Sequence, residues 1–233
     1  MAKIERPRSR AAGGYRMAKR GERGEIFIYG PIGSSFFEDS VSAKQFARDL
    51  RGLKDVKAID LRINSEGGDV FEAQAIYTLL QEHEARITVH VDGVAASAAS
   101  FIAMAGDRIK ISESAFVMIH NAWTIALGDG DEFRRMADLL DTVNGAIRDK
   151  YAARTGQTPE AVAEMMAAET WMNGQEAVEH GFADEMVENL RVAAAIREPS
   201  RFHNLPAALR PRRVAALGKI AELRGSLKSK SAR

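Results

Sequence analysis

Apolar and polar residues alternate in short runs over the first half of the chain, and segments with helical spacing separate these runs. The alternation predicts strands over residues 25–29, 58–63, 86–92, 108–111 and 115–120. Between them, Val70, Ala73, Ile76, Tyr77 and Leu80 follow the spacing of one helix face. Strands that alternate with helices indicate crossover connections, so we expect a largely parallel sheet covered by helices.

Helix start and stop signals complete the predicted elements. A cap at Ser40 or Ser42 predicts a helix to about Leu53, and a small-residue helix is expected from about Ala98. The pattern predicts a long helix over residues 132–155, a shorter one opened by Thr158 and Pro159, another over 175–181 and a last strand within 182–187. No internal repeat is visible.

Charge divides the 233 residues into three parts. Residues 1–24 carry eight Lys or Arg against two Glu, and residues 190–233 carry eleven against two. Because the whole chain has a net charge of only +1, residues 25–189 have a balance of −14. We therefore expect a disordered basic N-terminal arm (1–24), a folded domain (25–189) and a basic C-terminal tail (190–233). The arms suit solvated tails, an acidic protein partner, nucleic acid or docking on the acidic domain of the same chain.

Composition excludes several classes of protein. The chain has no cysteine, which rules out disulfides, a thiol nucleophile and a cysteine-based zinc site. No run approaches the ~18 apolar residues of a membrane span, and the N-terminus lacks the apolar core of a signal peptide. We expect a cytoplasmic protein without membrane contact.

A serine surrounded by small residues is the first candidate for chemistry. Ser97 lies in the run Gly-Val-Ala-Ala-Ser-Ala-Ala-Ser of residues 93–100, directly after a predicted strand. Small side chains leave room for a sharp turn that presents a hydroxyl at a helix N-terminus, where unpaired N–H groups can bind an oxyanion. Helix packing is the alternative explanation for a single serine in such a run.

A histidine and a glycine pair could complement this serine. His120 ends an apolar strand, and the carboxyl ends of strands are where α/β folds build their sites. Gly67 and Gly68, which follow a strand that ends in the turn containing Asn64 and Asp69, could direct N–H groups at a developing negative charge. The alternatives are a histidine that only caps a strand and an ordinary tight turn.

Three short motifs in order resemble one protease family. Asn-Ser-Glu-Gly-Gly at 64–68, Gly-Val-Ala-Ala-Ser at 93–97 and Met-Ile-His at 118–120 resemble the N-S-x-G-G, G-x-A-A-S and M-I-H patterns of ClpP, the proteolytic subunit of the Clp protease. The similarity continues through residues 169–177 and 181–184. The resemblance implies an α/β ClpP/crotonase-like fold of repeated β-β-α units with a long handle helix. It also implies ring homo-oligomers, such as two stacked heptamers, and no cofactor or metal.

The resemblance also implies roles for individual residues. Ser97 would be the nucleophile, His120 the base and Glu169 the acid of the triad. If Glu169 does not fill the third role, Asp184 is the next candidate. The N–H groups of Gly68 and Ala98 would form the oxyanion hole. A peptide substrate would add as a strand along two segments whose residues are Gly67, Asp69, Val70, Asn121, Ala122 and Trp123.

Some positions differ from the ClpP pattern. The acid is Glu169 instead of aspartate, Asn121-Ala122-Trp123 replaces Gln-Pro-Leu, and the pore-lining N-terminus of ClpP is not recognisable in residues 1–23. These features resemble ClpP-related enzymes of tailed bacteriophages and prophages. That likeness implies a head maturation protease that cleaves capsid or scaffold proteins in the host cytoplasm or within the assembling procapsid.

Other functions fit parts of the same pattern. The chain could be the proteolytic subunit of an ATP-dependent Clp protease, although the missing pore segment argues against docking of an unfoldase ATPase. It could be a crotonase-type acyl-CoA enzyme or a non-enzymatic ring or scaffold protein. A Ser–Lys dyad is a further alternative, for which Lys110 is the closest lysine on a strand.

Overall fold

The computed structural model describes residues 14–33, 40–188, 196 and 198–210. Its strands are β1 (Gly14–Arg20), β2 (Arg23–Tyr29), β3 (Ala58–Ser65), β4 (Arg86–Ala96), β5 (Arg108–Ser112), β6 (Phe116–Ile119), β7 (Thr170–Asn173) and β8 (Glu185–Val187). Its helices are α1 (Ala43–Leu50), α2 (Val70–Gln81), α3 (Ala98–Ala103), α4 (Gly130–Thr155), α5 (Pro159–Ala167) and α6 (Gly174–Glu179). Short 3₁₀ turns occupy Arg51–Leu53, Pro199–Arg201 and Ala207–Leu209.

All eight strands belong to one sheet. Its main path runs β1-β2-β3-β4-β5-β8, and β6 pairs with both β4 and β7. The pairs from β2 to β5, together with β5–β8 and β4–β6, are parallel, whereas β1–β2 and β6–β7 are antiparallel. This arrangement confirms the predicted mixed α/β class with a largely parallel centre.

Alternation along the central strands produces the core. Ile26, Leu61, Val89 and Ile109, one from each of four adjacent strands, are completely buried. The helices between the strands bury their apolar faces against this layer, as the spacing along α2 predicts. Helix starts also follow the sequence, since Ser42 caps α1 and Thr158 caps α5 with Pro159 in its first turn.

The prediction of a disordered N-terminal arm over residues 1–24 is wrong for its second half. Gly14–Arg20 forms strand β1, which pairs with β2 and turns Tyr15 and Met17 towards the core. The apolar alternation in this strand is short. The cationic residues around it dominate the composition, which is why the sequence pattern did not predict a strand. The folded unit therefore starts before residue 25, and residues 1–13 lie outside the described part.

Part of the predicted C-terminal tail also packs on the domain. Phe202 and Leu205 are buried in a second apolar cluster with Val94, Ala96 and Met118. These three residues lie at the carboxyl ends of β4 and β6, which are parallel neighbours. The described part of the tail therefore packs beside Ser97 and His120, which follow these two strands. Residues 211–233 lie outside the described part.

Within the described residues, no helix combines the length and the apolar character needed to cross a membrane.

Candidate active site

The backbone at Ser97 makes a strained turn between β4 and α3. Ser97 has φ 54° and ψ −126°, a conformation that side-chain-bearing residues rarely adopt. Its N–H donates to the carbonyl of Met118 over 2.9 Å, which ties the turn to β6. The Ser97 side chain makes no capping bond to α3, so its hydroxyl is available to another partner.

That partner is His120. The Ser97 Oγ lies 2.7 Å from the His120 Nε2, within the hydrogen-bond reach that a nucleophile and its base require. The two residues meet because β4 and β6 are parallel neighbours, with Ala96 opposite Met118. The structure thus brings together the two residues that the sequence singled out separately.

The environment of His120 favours its neutral form. Burial lowers the pKa of the imidazole, the charge of Glu169 raises it, and the neighbouring Arg201 and His203 lower it again, for a net decrease from its ordinary value of 6.5. A neutral imidazole can accept the Ser97 proton. This electrostatic balance suits a general base at neutral pH.

The glycine loop lies directly against the nucleophile turn. Gly67 and Gly68 have φ of 92° and 151°, and a methyl group on Gly67 would lie 2.9 Å from both the Ala98 N and the Ser97 Cβ. A methyl group on Gly68 would lie 2.0 Å from the carbonyl oxygen of Ile32. Within the described chain, the N–H groups of Gly68 and Ala98 have no acceptor. Two free donors beside a serine hydroxyl could stabilise an oxyanion.

Glu169, the third predicted member, is near His120 but does not bind it. In the part of the chain that is described, no hydrogen bond joins the two side chains. The Glu169 Oε1 accepts from the Asn204 N–H at 2.7 Å and the Trp171 Nε1 at 3.2 Å, and its Oε2 accepts from the His203 N–H at 3.0 Å. Glu169 also has φ 50° and is only 7% exposed.

These contacts stabilise the ionised form of Glu169. Burial raises the pKa of the carboxyl, but the amides of Asn204 and His203, the Trp171 N–H and the nearby His120 together lower it below its ordinary value. Asp184, the second candidate acid, has other partners. Its Oδ2 accepts from the Ile109 N–H and the Arg154 guanidinium, both at 2.6 Å, which fixes β5 to α4.

A cavity of about 600 Å³ opens beside Ser97 and His120. Of the predicted substrate-binding residues, Asp69, Val70, Ala122 and Trp123 line this cavity, as do Gly68 and Ala98, whereas Gly67 and Asn121 do not. Much of its wall is apolar and includes Val70, Phe71, Phe101, Met136, Leu140 and Ile147.

The predicted strand addition has fewer free donors than expected. The Asn121 N–H donates to the Met166 carbonyl at 3.2 Å, and the Ala122 N–H donates to the Asn144 side chain at 2.7 Å. The Asp69 N–H donates to the Ile32 carbonyl at 2.9 Å. Pairing of a substrate with these two segments stays a prediction.

Two parts of the site were missed from the sequence. The buried Tyr151 hydroxyl lies 2.8 Å from the Ser100 Oγ, which in turn lies 2.6 Å from the Ser97 carbonyl oxygen. The spacing of Val143, Ile147 and Tyr151 along α4 could have indicated that Tyr151 is buried, but nothing indicated its partner. Arg201 and Phe202, which also line the cavity, belong to the tail and have no motif.

Among the described residues, no group of three or more His, Cys, Asp or Glu side chains could hold a metal ion.

The chain is similar to known proteins over most of its length. The family model described as Clp protease matches residues 15–190. The ATP-dependent Clp protease proteolytic subunit 1 of Prochlorococcus marinus (strain NATL2A) is 31% identical over 132 residues, which cover 56% of this chain and 67% of that protein. A ClpP1 mutant from Listeria monocytogenes superposes with a TM-score of 0.62 at 24% identity, over 71% of this chain and 91% of that one. The structural likeness confirms the predicted ClpP-type fold.

Proposed function

The chain belongs to the Clp protease family, and from that premise we propose that it is a serine endopeptidase that cleaves proteins through an acyl-enzyme. The observation that carries the proposal is the 2.7 Å contact between the Ser97 Oγ and the His120 Nε2. This pair lies at a cavity beside two N–H groups that have no acceptor within the described chain.

We assign a residue to each step of the reaction. His120 takes the proton of Ser97 as the oxygen attacks the scissile carbonyl, and the N–H groups of Gly68 and Ala98 stabilise the oxyanion. His120 then gives the proton to the leaving amine. A water molecule, activated by the same imidazole, releases the acyl group and restores the Ser97 hydroxyl.

We assign the third role to Glu169, whose carboxylate has to come within hydrogen-bond distance of the His120 imidazole to orient it. Its ionised state suits that role. The apolar wall of the cavity favours a substrate with an apolar side chain close to the scissile bond.

For the biological role, we propose head maturation in a tailed bacteriophage or prophage. The support is the glutamate at position 169, Asn121-Ala122-Trp123 in place of the ClpP Gln-Pro-Leu, and residues 1–23 unlike the ClpP pore segment. The protein would assemble into rings and act on capsid or scaffold proteins in the host cytoplasm or the procapsid. General ATP-dependent proteolysis is the second candidate, favoured by the name of the Prochlorococcus relative.

A serine-reactive fluorophosphonate probe tests the catalytic assignment. We expect the probe to label the natural protein and to leave Ser97→Ala unlabelled, with loss of peptide hydrolysis, because the substitution deletes the reacting oxygen. Ser112→Ala is the matched control, since the buried Ser112 Oγ has no hydrogen-bond partner in the described chain and lies outside the cavity.

Other outcomes would favour the rival functions. Cleavage retained by Ser97→Ala would contradict the proposal and favour chemistry that needs only the paired N–H groups, as in crotonase-type enzymes. A folded protein that neither reacts with the probe nor cleaves casein or capsid protein would favour a non-enzymatic ring or scaffold. A Ser–Lys dyad gains no support, since the Lys110 Nζ lies 3.5 Å from Glu185, across the β5–β8 pair.

The biological role needs a separate experiment. Purified protein is incubated with the capsid and scaffold proteins encoded beside its gene, and in parallel with casein plus a Clp unfoldase and ATP. Defined cleavage of the head proteins without ATP supports head maturation. Cleavage that depends on the unfoldase and ATP would overturn it in favour of general proteolysis.

A further inference from the structure

The described part of the C-terminal tail, residues 198–210, crosses the candidate active site, and we call this segment the strap. At one end, the Glu198 N–H donates to the Glu66 Oε2 at 3.2 Å, directly before the glycine loop. Further along, the Asn204 N–H donates to Glu169 and the Asn204 side chain donates to the Ala168 carbonyl at 2.7 Å. The strap therefore spans from the oxyanion loop to the predicted acid.

Apolar contacts anchor the strap between these polar ends. Phe202 and Leu205 are 9% and 6% exposed, and they cover the ends of β4 and β6. The Phe202 ring centroid lies 5.3 Å from that of Trp171 in an edge-on arrangement and 6.5 Å from that of His120. Burial of an aromatic side chain among apolar groups is favourable, so this contact stabilises the docked state.

The strap also limits access to the cavity. Arg201 and Phe202 form part of the cavity wall. The Arg201 guanidinium lies 5.4 Å from the Trp123 ring centroid, which joins the strap to a predicted substrate-binding segment. A peptide that binds along this wall would contact both strap residues, and a protein substrate that extends past the wall would have to displace the strap.

The hydrogen bonds of Glu169 show a second consequence of docking. Two of its three N–H donors, those of His203 and Asn204, belong to the strap. Both are main-chain groups, so they hold the carboxylate only while the strap is in place. Glu169 is bound to them instead of to His120, whose imidazole it would have to orient during catalysis.

We propose that the strap is an intramolecular inhibitor that docks on the active site of its own chain. It holds Glu169 away from His120 and occupies one wall of the substrate cavity. Release of the strap allows Glu169 to turn to the His120 Nδ1 and opens the cavity to a protein substrate. This inference rests on the proposed protease function and adds to it a mode of control.

Two truncations separate the strap from the rest of the tail. One ends after residue 197 and removes the strap, while its control ends after residue 210 and keeps it. We expect the shorter chain to hydrolyse an unstructured fluorogenic peptide with kcat/KM raised by about tenfold or more, because an orienting carboxylate contributes strongly to triad catalysis. An unchanged or lower rate relative to the control would overturn the proposal.

Removing the strap would expose the apolar cluster that it covers, and the shortened chain could misfold for that reason. A point variant in the full chain therefore tests release of the strap independently. In the full chain, Phe202→Asp places a carboxylate in the apolar cluster beside Glu169 and should release the strap. Ala208→Asp adds the same charge at an exposed strap position and is the matched control. We expect Phe202→Asp to raise kcat/KM and Ala208→Asp to leave it unchanged; equal rates in the two variants would contradict inhibition.

A comparison with Glu169→Gln identifies the cause of the activation. With the strap released, Glu169→Gln should lower kcat by orders of magnitude, because the imidazole loses its orienting charge. In the intact chain the same substitution should have a much smaller effect. Equal losses in both backgrounds would show that Glu169 already acts on His120 with the strap docked, against the proposal.

Docking of the strap can also be measured by methods that do not depend on catalytic activity. In a Trp123→Phe background, Trp171 is the reporter, and Phe202→Asp should change its fluorescence while hydrogen exchange at the amides of residues 203 and 204 accelerates. If these signals change but no variant reacts with the fluorophosphonate probe, the proposed protease function is overturned, and the proposed inhibition by the strap is overturned with it. If every variant reacts and the rates do not differ, only the inhibitory role is overturned.

Discussion

At the scale of single residues, the reactivity of Ser97 depends on the protonation state of His120. Only a neutral imidazole can take the serine proton, and burial lowers the pKa of His120 from its ordinary 6.5. Activity is therefore retained as pH falls until the lowered pKa is reached. Two strap residues, Arg201 and His203, contribute to this decrease.

We predict that the acidic limb of kcat/KM falls below pH 6.5 in the natural protein. Arg201→Gln should move this limb to higher pH, because removing a cation lets His120 bind a proton more readily. Arg210→Gln is the control outside the His120 environment. The measurement is a pH profile of peptide hydrolysis, and a limb that stays fixed in Arg201→Gln contradicts this electrostatic account.

The nucleophile turn also depends on a buried hydroxyl from α4. Tyr151 is only 2% exposed and contacts Ser100, which also contacts the Ser97 carbonyl. We predict that Tyr151→Phe lowers the free energy of unfolding by about 1 kcal/mol, since it removes one buried hydrogen bond. Tyr77→Phe, at a half-buried tyrosine without a hydrogen-bond partner in the described chain, should have little effect on the denaturant midpoint. Equal shifts in both variants would contradict the prediction.

At the scale of elements, the connection from β3 to α2 has to pass very close to Ile32. Gly68 meets this demand because it has no side chain and adopts φ 151°. Asp69 then starts α2, since its carboxylate accepts from the N–H groups of Phe71 and Glu72 at 2.8 and 3.0 Å. The cap fixes the loop on one side and β3 fixes it on the other.

We predict that Gly68→Ala destabilises the protein by about 1–3 kcal/mol and removes most of its activity, because the added methyl group forces the loop away from Ser97. Gly145→Ala is the control, and its expected effect on stability has the opposite sign. Its site in α4 has no atom within 4 Å of the added methyl group, so it should stabilise by about 0.5–1 kcal/mol and leave activity unchanged. Thermal unfolding and peptide hydrolysis of both variants test the pair, and a stable, active Gly68→Ala would refute this role for the loop.

At the scale of the whole molecule, large apolar side chains remain exposed along α4 and the loop before it. Ile125 and Leu127 are 85% and 97% exposed, and Phe133 and Leu139 are about half exposed. Buried Val143 and Ile147 on the same helix face the core of the subunit. Helix α4 therefore contributes to the core at one end and presents an apolar surface at the other, as expected for a contact between copies.

We predict that replacing both Ile125 and Leu127 by Asp shifts the protein from a ring assembly to smaller species. The two added charges would have to be buried in the contact between copies. Ala153→Asp, near the other end of α4, is the control. Size-exclusion chromatography with light scattering measures the change, and an unaltered mass would exclude this surface from the assembly.

The local sequence is sufficient for much of the fold and for part of the site. Alternation and helical spacing predicted the central strands and the main helices, because each pattern reflects which face of one element is buried. The motifs around Gly68, Ser97 and His120 predicted three groups that the fold brings to one cavity. The chemical roles of these groups could be predicted because strand ends and small-residue turns constrain the backbone locally.

Tertiary structure alone decided the partners of Glu169, the contact of Tyr151 with Ser100 and the docking of Phe202. Asn204 lies 35 residues from Glu169, and Tyr151 lies 51 residues from Ser100. No periodic pattern connects such pairs, since main-chain N–H donors carry no signal in the sequence and a single aromatic residue has no repeat. Sequence by itself therefore determined the chemical groups and the strands that carry them, whereas packing between distant segments determined which groups bind one another.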